Sequence, residues 1–281
     1  MSCAVPVELQ KKSLSLLRPS LVNVLGVGIH ALDLSKATDL ILAAINQEYK
    51  GYVCVTGVHG IMEAQRDAAL RKVLREAFLV TPDGMPTVWL GRMQGHPQMK
   101  RVYGPDLMLD ICARSTGPRR IRHFFYGGKP GVADQLAANL QARFPGLNVA
   151  GTYTPPFRPL QPQELVALTR VLENARPDII WVGLSTPKQE KFMAAYSGKL
   201  PCKIMVGVGA AFDIHTGHIK DAPNWVKKAG MQWAHRLQQE PRRLWRRYLL
   251  NNLTFVAALG LQLTRIRSYS LPAGDSSPSA E

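Results

Sequence analysis

Acidic residues are scarce in this sequence: 20 Asp and Glu stand against 35 Lys and Arg, giving a formal net charge of +15 over 281 residues and a pI near 9.9. Such a surplus is unusual for a small-molecule enzyme and points to an anionic partner or substrate, a class that spans nucleotide sugars, lipid pyrophosphates, anionic membranes and nucleic acids. Cysteine is sparse as well. Cys3, Cys54, Cys112 and Cys202 are scattered with no C-x-x-C pair, which excludes the usual zinc and disulfide frameworks and fits a reducing compartment. Long apolar runs are missing. The longest nearly uncharged stretch, Tyr248 to Leu263, is interrupted by Asn251, Asn252, Thr254 and Gln262. It falls short of the roughly 20 apolar residues that a membrane-spanning helix needs. It is expected to touch a membrane without crossing it. The first twenty residues carry Glu8, Lys11 and Lys12 where a signal peptide would be apolar, so secretion is not expected. Neither a G-x-G-x-x-G fingerprint, nor a P-loop, nor a D-x-D pair occurs.

What is present is an alternation of short apolar β-rich runs with helical patterns, the signature of an α/β fold with a largely parallel, Rossmann-like sheet flanked by helices. Residues 22–29 (VNVLGVGI) read as a first strand, and Asp33 as the N-cap of a helix bearing Leu40, Ile41, Ala44 and Ile45. Further strands are read in YVCVT, FLVTPDG, IRHFFYGG, LNVAGTY, DIIWVG and KIMVG. Ligands of open parallel sheets bind beyond the carboxyl ends of the strands. On this reading Thr56, Asp83, Gly127, Gly128, the segment 185–190 and the segment 209–213 all fall there, and one pocket can collect them. The expected organisation is an N-terminal extension at 1–20, an α/β domain at 21–219, a helical basic appendage at 220–268 and a disordered Pro/Ser/Gly-rich tail at 269–281.

Several residues are candidates for chemistry. Asp83, in TPDG, is a carboxylate at a strand end beside a glycine that permits close ligand approach, and so suits a general base; P-D-G is equally ordinary turn chemistry. Gly127 and Gly128, before a helix, offer backbone N–H groups to a pyrophosphate or simply make a tight turn. PKQE places Pro187 at a first helical position and Glu190 in the first turn, both helix-start features, while Lys188 and Gln189 are polar groups able to reach a sugar. Asp213, His215 and His218 cluster in DIHTGHIKD without a recognised ligand spacing, so no metal is expected. With no D-x-D to hold a cation, a departing diphosphate needs another positive group. Arg236, Arg243 and Arg246, at spacings that put them on one face of a helix, can supply it. The same run, interleaved with Trp225, Trp233 and Trp245, also reads as a solvated basic face or a membrane patch.

Seven blocks in order resemble the WecG/TagA/CpsF glycosyltransferases of bacterial surface-polymer synthesis: TPDGMP, RVYGPDL, FFYGGKPGVA, PDIIWVGLSTPKQEKF, VGVGAAFDIHTG, DAPNW and HRLQQEPRRLWRRYL. The similarity runs from about Val22 to Leu250. It implies an inverting, metal-independent transferase without a cofactor. Such an enzyme moves a sugar, of N-acetylmannosamine, uronic acid or hexose type, from a UDP-sugar to an undecaprenyl-diphosphate-linked acceptor. The implied location is cytoplasmic and peripheral, on the inner face of the plasma membrane. By the same resemblance Asp83 is the base, Thr56, Arg101, Gln189 and Asp213 are donor-site contacts, and Arg236, Arg243 and Arg246 close over the diphosphate. Two positions depart from the pattern: Val58 stands where the family usually has asparagine, and Gln232 where it usually has glutamate. Two rivals follow from the residues. A nucleic-acid-binding protein would suit the charge, yet no such motif is visible and no nucleic acid is expected as partner. A catalytically impaired sugar-nucleotide-binding scaffold is motivated by Val58. The oligomeric state is left open, and a homo-oligomer is compatible with the sequence.

Overall fold

A computed structural model of the chain describes residues 18–117 and 120–271. Most of the expected N-terminal extension, Cys3 and the tail from residue 272 lie outside the described residues. Six strands form one sheet: β3 (Gly51–Thr56), β4 (Leu79–Pro82), β5 (Arg122–Gly127), β6 (Asn148–Tyr153), β7 (Ile179–Gly183) and β8 (Ile204–Gly207). All pairings are parallel, in the order β4-β3-β8-β7-β5-β6. The chain lays β3 and β4 at one side, crosses to β5 and β6 at the other, and returns to fill the middle with β7 and β8. The C-terminal ends of early and late strands are thereby brought side by side.

Strand periodicity explains the two cores. Val53, Val55, Phe125, Ile179, Trp181, Ile204 and Val206 face one side of the sheet. Tyr52, Cys54, Phe124, Tyr126, Ile180, Val182 and Met205 face the other. Alternate residues of a strand point to opposite faces, and a parallel sheet covered on both is apolar throughout. Helices α1 (Leu34–Asn46), α5 (Gly104–Arg114) and α6 (Val132–Arg143) pack on the first face. The second face is covered by α2 (Val58–Arg66), α3 (Ala68–Glu76), α7 (Pro162–Ala175) and α8 (Lys188–Tyr196). The short helix α4 (Met85–Met93) follows β4 directly. Local signals start these helices as expected: Asp33 accepts from Lys36 N–H at 3.0 Å, and Asp67 accepts from Ala69 and Leu70 N–H at 2.9 and 3.1 Å.

The first expected strand is two. Residues Leu21–Val24 (β1) and Val27–His30 (β2) form an antiparallel hairpin outside the main sheet. Leu25 and Gly26 both have positive φ, 54° and 76°, the requirement of a two-residue turn that matches strand twist. A leucine there carries no turn signal, which is why the run reads as continuous.

The basic appendage is also divided. After the short α9 (Ala211–His215), which still belongs to the expected α/β domain, it consists of α10 (Asn224–Lys228), α11 (Gln232–Gln239) and α12 (Pro241–Leu263). Glu240 leaves helical geometry at φ −133°, ψ 58°, and Pro241 opens the next helix, since proline has no N–H to continue the ladder. Arg236 and Arg243 therefore lie on different helices rather than on one face of one helix. Helix α12 packs on α2, burying Leu244, Asn251 and Phe255. Burial of a Leu or Phe side chain stabilises by about 1.5–3 kcal/mol each. Its end holds the hairpin: Gln262 Oε1 accepts from Leu25 N–H at 2.9 Å and its Nε2 donates to Asn23 O at 3.0 Å. Among the described residues, no helix is long and apolar enough to cross a membrane.

Candidate active site

The carboxyl ends of β3 and β4 place Thr56 and Asp83 together, with Asp83 N–H donating to Thr56 O at 3.1 Å. Gly57 makes room beside them; a Cβ there would sit 3.9 Å from Asp83 Oδ2. The Asp83 side chain is 34% exposed, while its Oδ1 is enclosed with no hydrogen-bond partner and has only Arg101 beside it. Arg101 reaches it from the extended segment that follows α4, where Val102 N–H donates to Pro82 O at 2.8 Å. The Arg101 side chain is only 14% exposed, its Nη2 is 3.5 Å from Asp83 Oδ1, and its Nε donates to the Asp83 carbonyl. Its guanidinium lies 4.2 Å from the centre of the Tyr103 ring. Burial pushes the Asp83 carboxyl above its ordinary value, against the opposing pull of Arg101 and Arg236.

The loop after β7 brings in the second group. Gln189 and Glu190 are fully buried, whereas Lys188 is exposed. Pro187 precedes the helix as its N-cap rather than occupying its first position. Glu190 Oε1 accepts from Thr186 Oγ1 at 2.8 Å and from Gln189 Nε2 at 3.1 Å. With its amide nitrogen committed to Glu190, Gln189 turns Oε1 toward Gly209 (3.6 Å from a Cβ built there), and that oxygen has no partner. Gly60, on α2, lies between the ends of β3 and β7; a Cβ there would meet Thr56 Cγ2 at 3.0 Å and Thr186 Cγ2 at 3.7 Å.

Four enclosed oxygens without a hydrogen-bond partner thus belong to this region: Thr56 Oγ1, Gln189 Oε1, Glu190 Oε2 and Asp83 Oδ1, the last with Arg101 at ion-pair distance. Unpartnered buried polar atoms cost free energy, and their concentration at one end of a sheet marks a place that a polar ligand completes. Burial also pushes the Glu190 carboxyl above its ordinary value, which favours the protonated form. Sequence reading took Glu190 for a helix-start residue and missed this role as a buried support.

The appendage closes one side. Gln232, on α11, accepts from Arg101 Nη2 through Oε1, so the position that departs from the family pattern touches a resemblance-implied donor contact. Arg236 donates to Glu240 Oε2 at 3.0 Å and Arg243 donates to the same oxygen, holding two arginines on one carboxylate across the helix break. Arg243 remains 59% exposed. Arg246 is exposed and lies 5.2 Å from the Trp245 ring centre, apart from the other two. Its neighbour Arg247 points inward: burial lowers the pKa of its guanidinium, the charges of Arg236 and Arg243 act in the same direction, and Glu190 opposes them. Arg247 also acts on His59, whose pKa is lowered to about 3 by burial first and by that charge second. The resulting neutral ring accepts from Asn251 Nδ2 at 2.8 Å. The signal for Arg247 was available, because Leu244, Arg247, Asn251 and Phe255 form one stripe at helical spacing.

The remaining candidates sit nearby with other engagements. Gly127 approaches Gly183 so closely that a Cβ would be 2.6 Å from Gly183 O, and Gly128 N–H donates to that same carbonyl at 3.2 Å. The pair thus makes the strand-end turn, with the Gly128 donor already used. Asp213 is half-buried on α9, just past β8. His215 Nε2 lies 3.0 Å from Pro105 O and His218 Nδ1 2.7 Å from Thr216 Oγ1. Among the described residues no group of three or more His, Cys, Asp and Glu side chains is arranged to hold a metal ion.

Comparison with known proteins shows the family. A family-wide sequence description, Glycosyl transferase WecG/TagA/CpsF family, matches residues 22–269. A Bacillus subtilis (strain 168) protein is 28% identical over 205 residues, which cover 73% of this chain and 77% of that protein. A Bacillus spizizenii protein (strain ATCC 23059 / NRRL B-14472 / W23) is 31% identical over 201 residues, 71% of this chain and 76% of its own length. Both relatives are named N-acetylglucosaminyldiphosphoundecaprenol N-acetyl-beta-D-mannosaminyltransferase.

Proposed function

Because this chain belongs to the WecG/TagA/CpsF glycosyltransferase family, we propose that it moves a sugar from a UDP-sugar onto an undecaprenyl-diphosphate-linked acceptor by a single inverting displacement. One observation carries this reading: Asp83, Arg101, Thr56 and Gln189 gather at the carboxyl ends of β4, β3 and the strands beside them, where the enclosed Thr56 Oγ1 and Gln189 Oε1 have no hydrogen-bond partner and Asp83 Oδ1 has only the 3.5 Å ion pair with Arg101. Asp83 takes the proton of an acceptor hydroxyl as that oxygen attacks the anomeric carbon, and the bond from that carbon to UDP breaks with its electron pair leaving on the diphosphate. The raised proton affinity of Asp83 suits this task, and Arg101 opposes the shift while holding the carboxylate in place. Thr56 and Gln189 offer a hydroxyl and an amide to the donor sugar. Arginine guanidinium groups, which stay charged at any working pH, stabilise the departing diphosphate in place of a metal. We assign this role to Arg236 and Arg243, supported by their shared pairing with Glu240, and to the inward-facing Arg247.

The relatives' donor is an N-acetylmannosamine sugar by their printed names. For this chain the same donor type is the first to test, with Val58 beside Gly57 as the position that bears on choice. We place the enzyme at the cytoplasmic membrane surface, where the acceptor resides. Support comes from the exposed apolar side chains of the appendage, Trp245, Leu249, Leu250, Leu253 and Val256, flanked by arginines. The test is UDP release over a panel of UDP-sugars with a detergent-solubilised lipid-diphosphate acceptor. Release that requires both partners supports a transferase, whereas UDP-sugar binding without release under any pairing supports the scaffold reading.

A further inference from the structure

A cavity of about 850 Å³ lies between the β1–β2 hairpin, α3 and the far end of α12, lined by none of the residues assigned to sugar transfer. Val80 lines it from the middle of β4, three residues before Asp83, a separation of roughly 10 Å along a strand. Its rim carries Arg18, Arg71, Lys72, Arg75 and Arg267, and no Asp or Glu lines it. Of these cations only Lys72 has a carboxylate within ion-pairing distance among the described residues, Glu76 at 3.8 Å. Like charges gathered around one hollow repel each other, and a bound anion relieves that repulsion.

Inside the cavity stands His30, only 5% exposed. Nδ1 lies 3.0 Å from the Val80 backbone nitrogen and 3.3 Å from the Val80 carbonyl oxygen; the backbone N–H can only donate and makes the shorter contact, so we assign Nδ1 as the acceptor nitrogen. Burial, with the Arg18 charge, lowers the pKa of the ring to about 4, so at neutral pH it is uncharged and carries its one proton on Nε2. That donor has no partner among the described residues. The walls mix apolar Leu25, Leu74 and Ala258 with polar Gln65, Thr254, Ser268 and Ser270. A buried neutral donor, a group of cations and a wall of mixed polarity fit an anion with several acceptor oxygens.

From this geometry we infer that the cavity is a phosphate-binding site separate from the sugar-transfer cleft. A phosphate accepts from His30 Nε2–H at its base and from the guanidinium groups at the rim. The chemistry is shared by a phospholipid headgroup and free inorganic phosphate. Helix α12 contributes Thr254 and Ala258 to the cavity while exposing Leu253 and Val256 beside them.

The test uses the full chain with saturating UDP, so that the sugar-nucleotide cleft is filled. Inorganic phosphate and dihexanoyl phosphatidic acid are titrated separately by calorimetry. The expected result is one saturable equivalent of at least one probe, weakened about tenfold or more when Arg75→Glu and Arg267→Glu are combined, since each removes a charge-assisted contact. Arg75→Gln alone gives a smaller loss in the same direction, and Arg170→Glu, an exposed charge on α7, leaves binding unchanged. Binding of phosphatidic acid alone identifies a lipid as the source, and binding of inorganic phosphate alone identifies the free ion. Absence of saturable binding by either probe, or equal weakening by Arg170→Glu, overturns the assignment.

Discussion

Replacing Asp83 by asparagine separates the proposed proton acceptor from everything else that residue does. The amide keeps the planar shape, the enclosed position of Oδ1 and the backbone bonds to Thr56 and Arg101, and loses only the charge and the ability to take a proton. Loss of a general base costs about 10²- to 10⁴-fold in turnover, roughly 3–5.5 kcal/mol of barrier. Stability should move the other way. Burial outweighs Arg101 in setting the Asp83 carboxyl above its ordinary value, so the fold favours the uncharged form, which asparagine mimics. At neutral pH the variant should therefore be at least as stable as the parent. As pH falls through the raised folded value toward the ordinary one, the parent regains stability as its carboxyl protonates, and the variant lacks that gain. The assay pairs steady-state UDP release with UDP binding and thermal melting across pH. Near-parental turnover at saturating acceptor would refute the assignment of the base, and a large drop in melting temperature at pH 7 would refute the electrostatic balance.

Three further outcomes are expected. Glu190→Gln should keep most activity because an uncharged amide oxygen still accepts from Thr186 and Gln189, whereas Glu190→Ala strands both donors at about 1–3 kcal/mol each; melting and kcat measured on the pair decide this. Arg247→Gln should reduce kcat/KM on a water-soluble acceptor by roughly 10-fold or more, as expected for a charged contact, and Arg246→Gln, exposed beside Trp245, should do less; the reverse order would return Arg246 to the site. Turnover should persist after exhaustive chelation, because arginines are placed to balance the diphosphate; recovery of lost activity by added manganese or magnesium would contradict this and redirect attention to Asp213 and its histidine neighbours.

The parallel sheet was legible because each of its strands is a short apolar run ending in a turn residue, and Asp83 was legible because TPDG follows such a run. The hairpin was hidden, since its turn is built on Leu25 rather than on an Asn or Asp before the glycine. The break at Glu240 was visible as Pro241, yet the arginine spacing was read across it as one helix. Arg246, named by the resemblance and by its spacing from Arg243, is exposed, whereas the apolar stripe through Leu244 and Phe255 turns Arg247 inward. Glu190 could not be found from periodicity, because a glutamate in a first helical turn is normally solvated. Its burial comes from packing α8 against the ends of β3 and β7, a tertiary fact.

The clamp of Gln262 on the hairpin has a kinetic side. Its two amide bonds join residues 237 and 239 positions apart in sequence. At about 5–20 residues per second of synthesis, the turn at Leu25 leaves the ribosome roughly ten to fifty seconds before its partner exists. Contacts this distant in sequence are slow to close and are not available to an early folding nucleus. During that interval the hairpin is held by its own ladder, by the sheet edge and by the side chains of Gln65 and Gln94, and lacks the clamp on its turn. The last long helix thus acts as a latch set late. A nascent chain stalled before residue 262 should present a loosely held hairpin to proteases and chaperones until translation resumes.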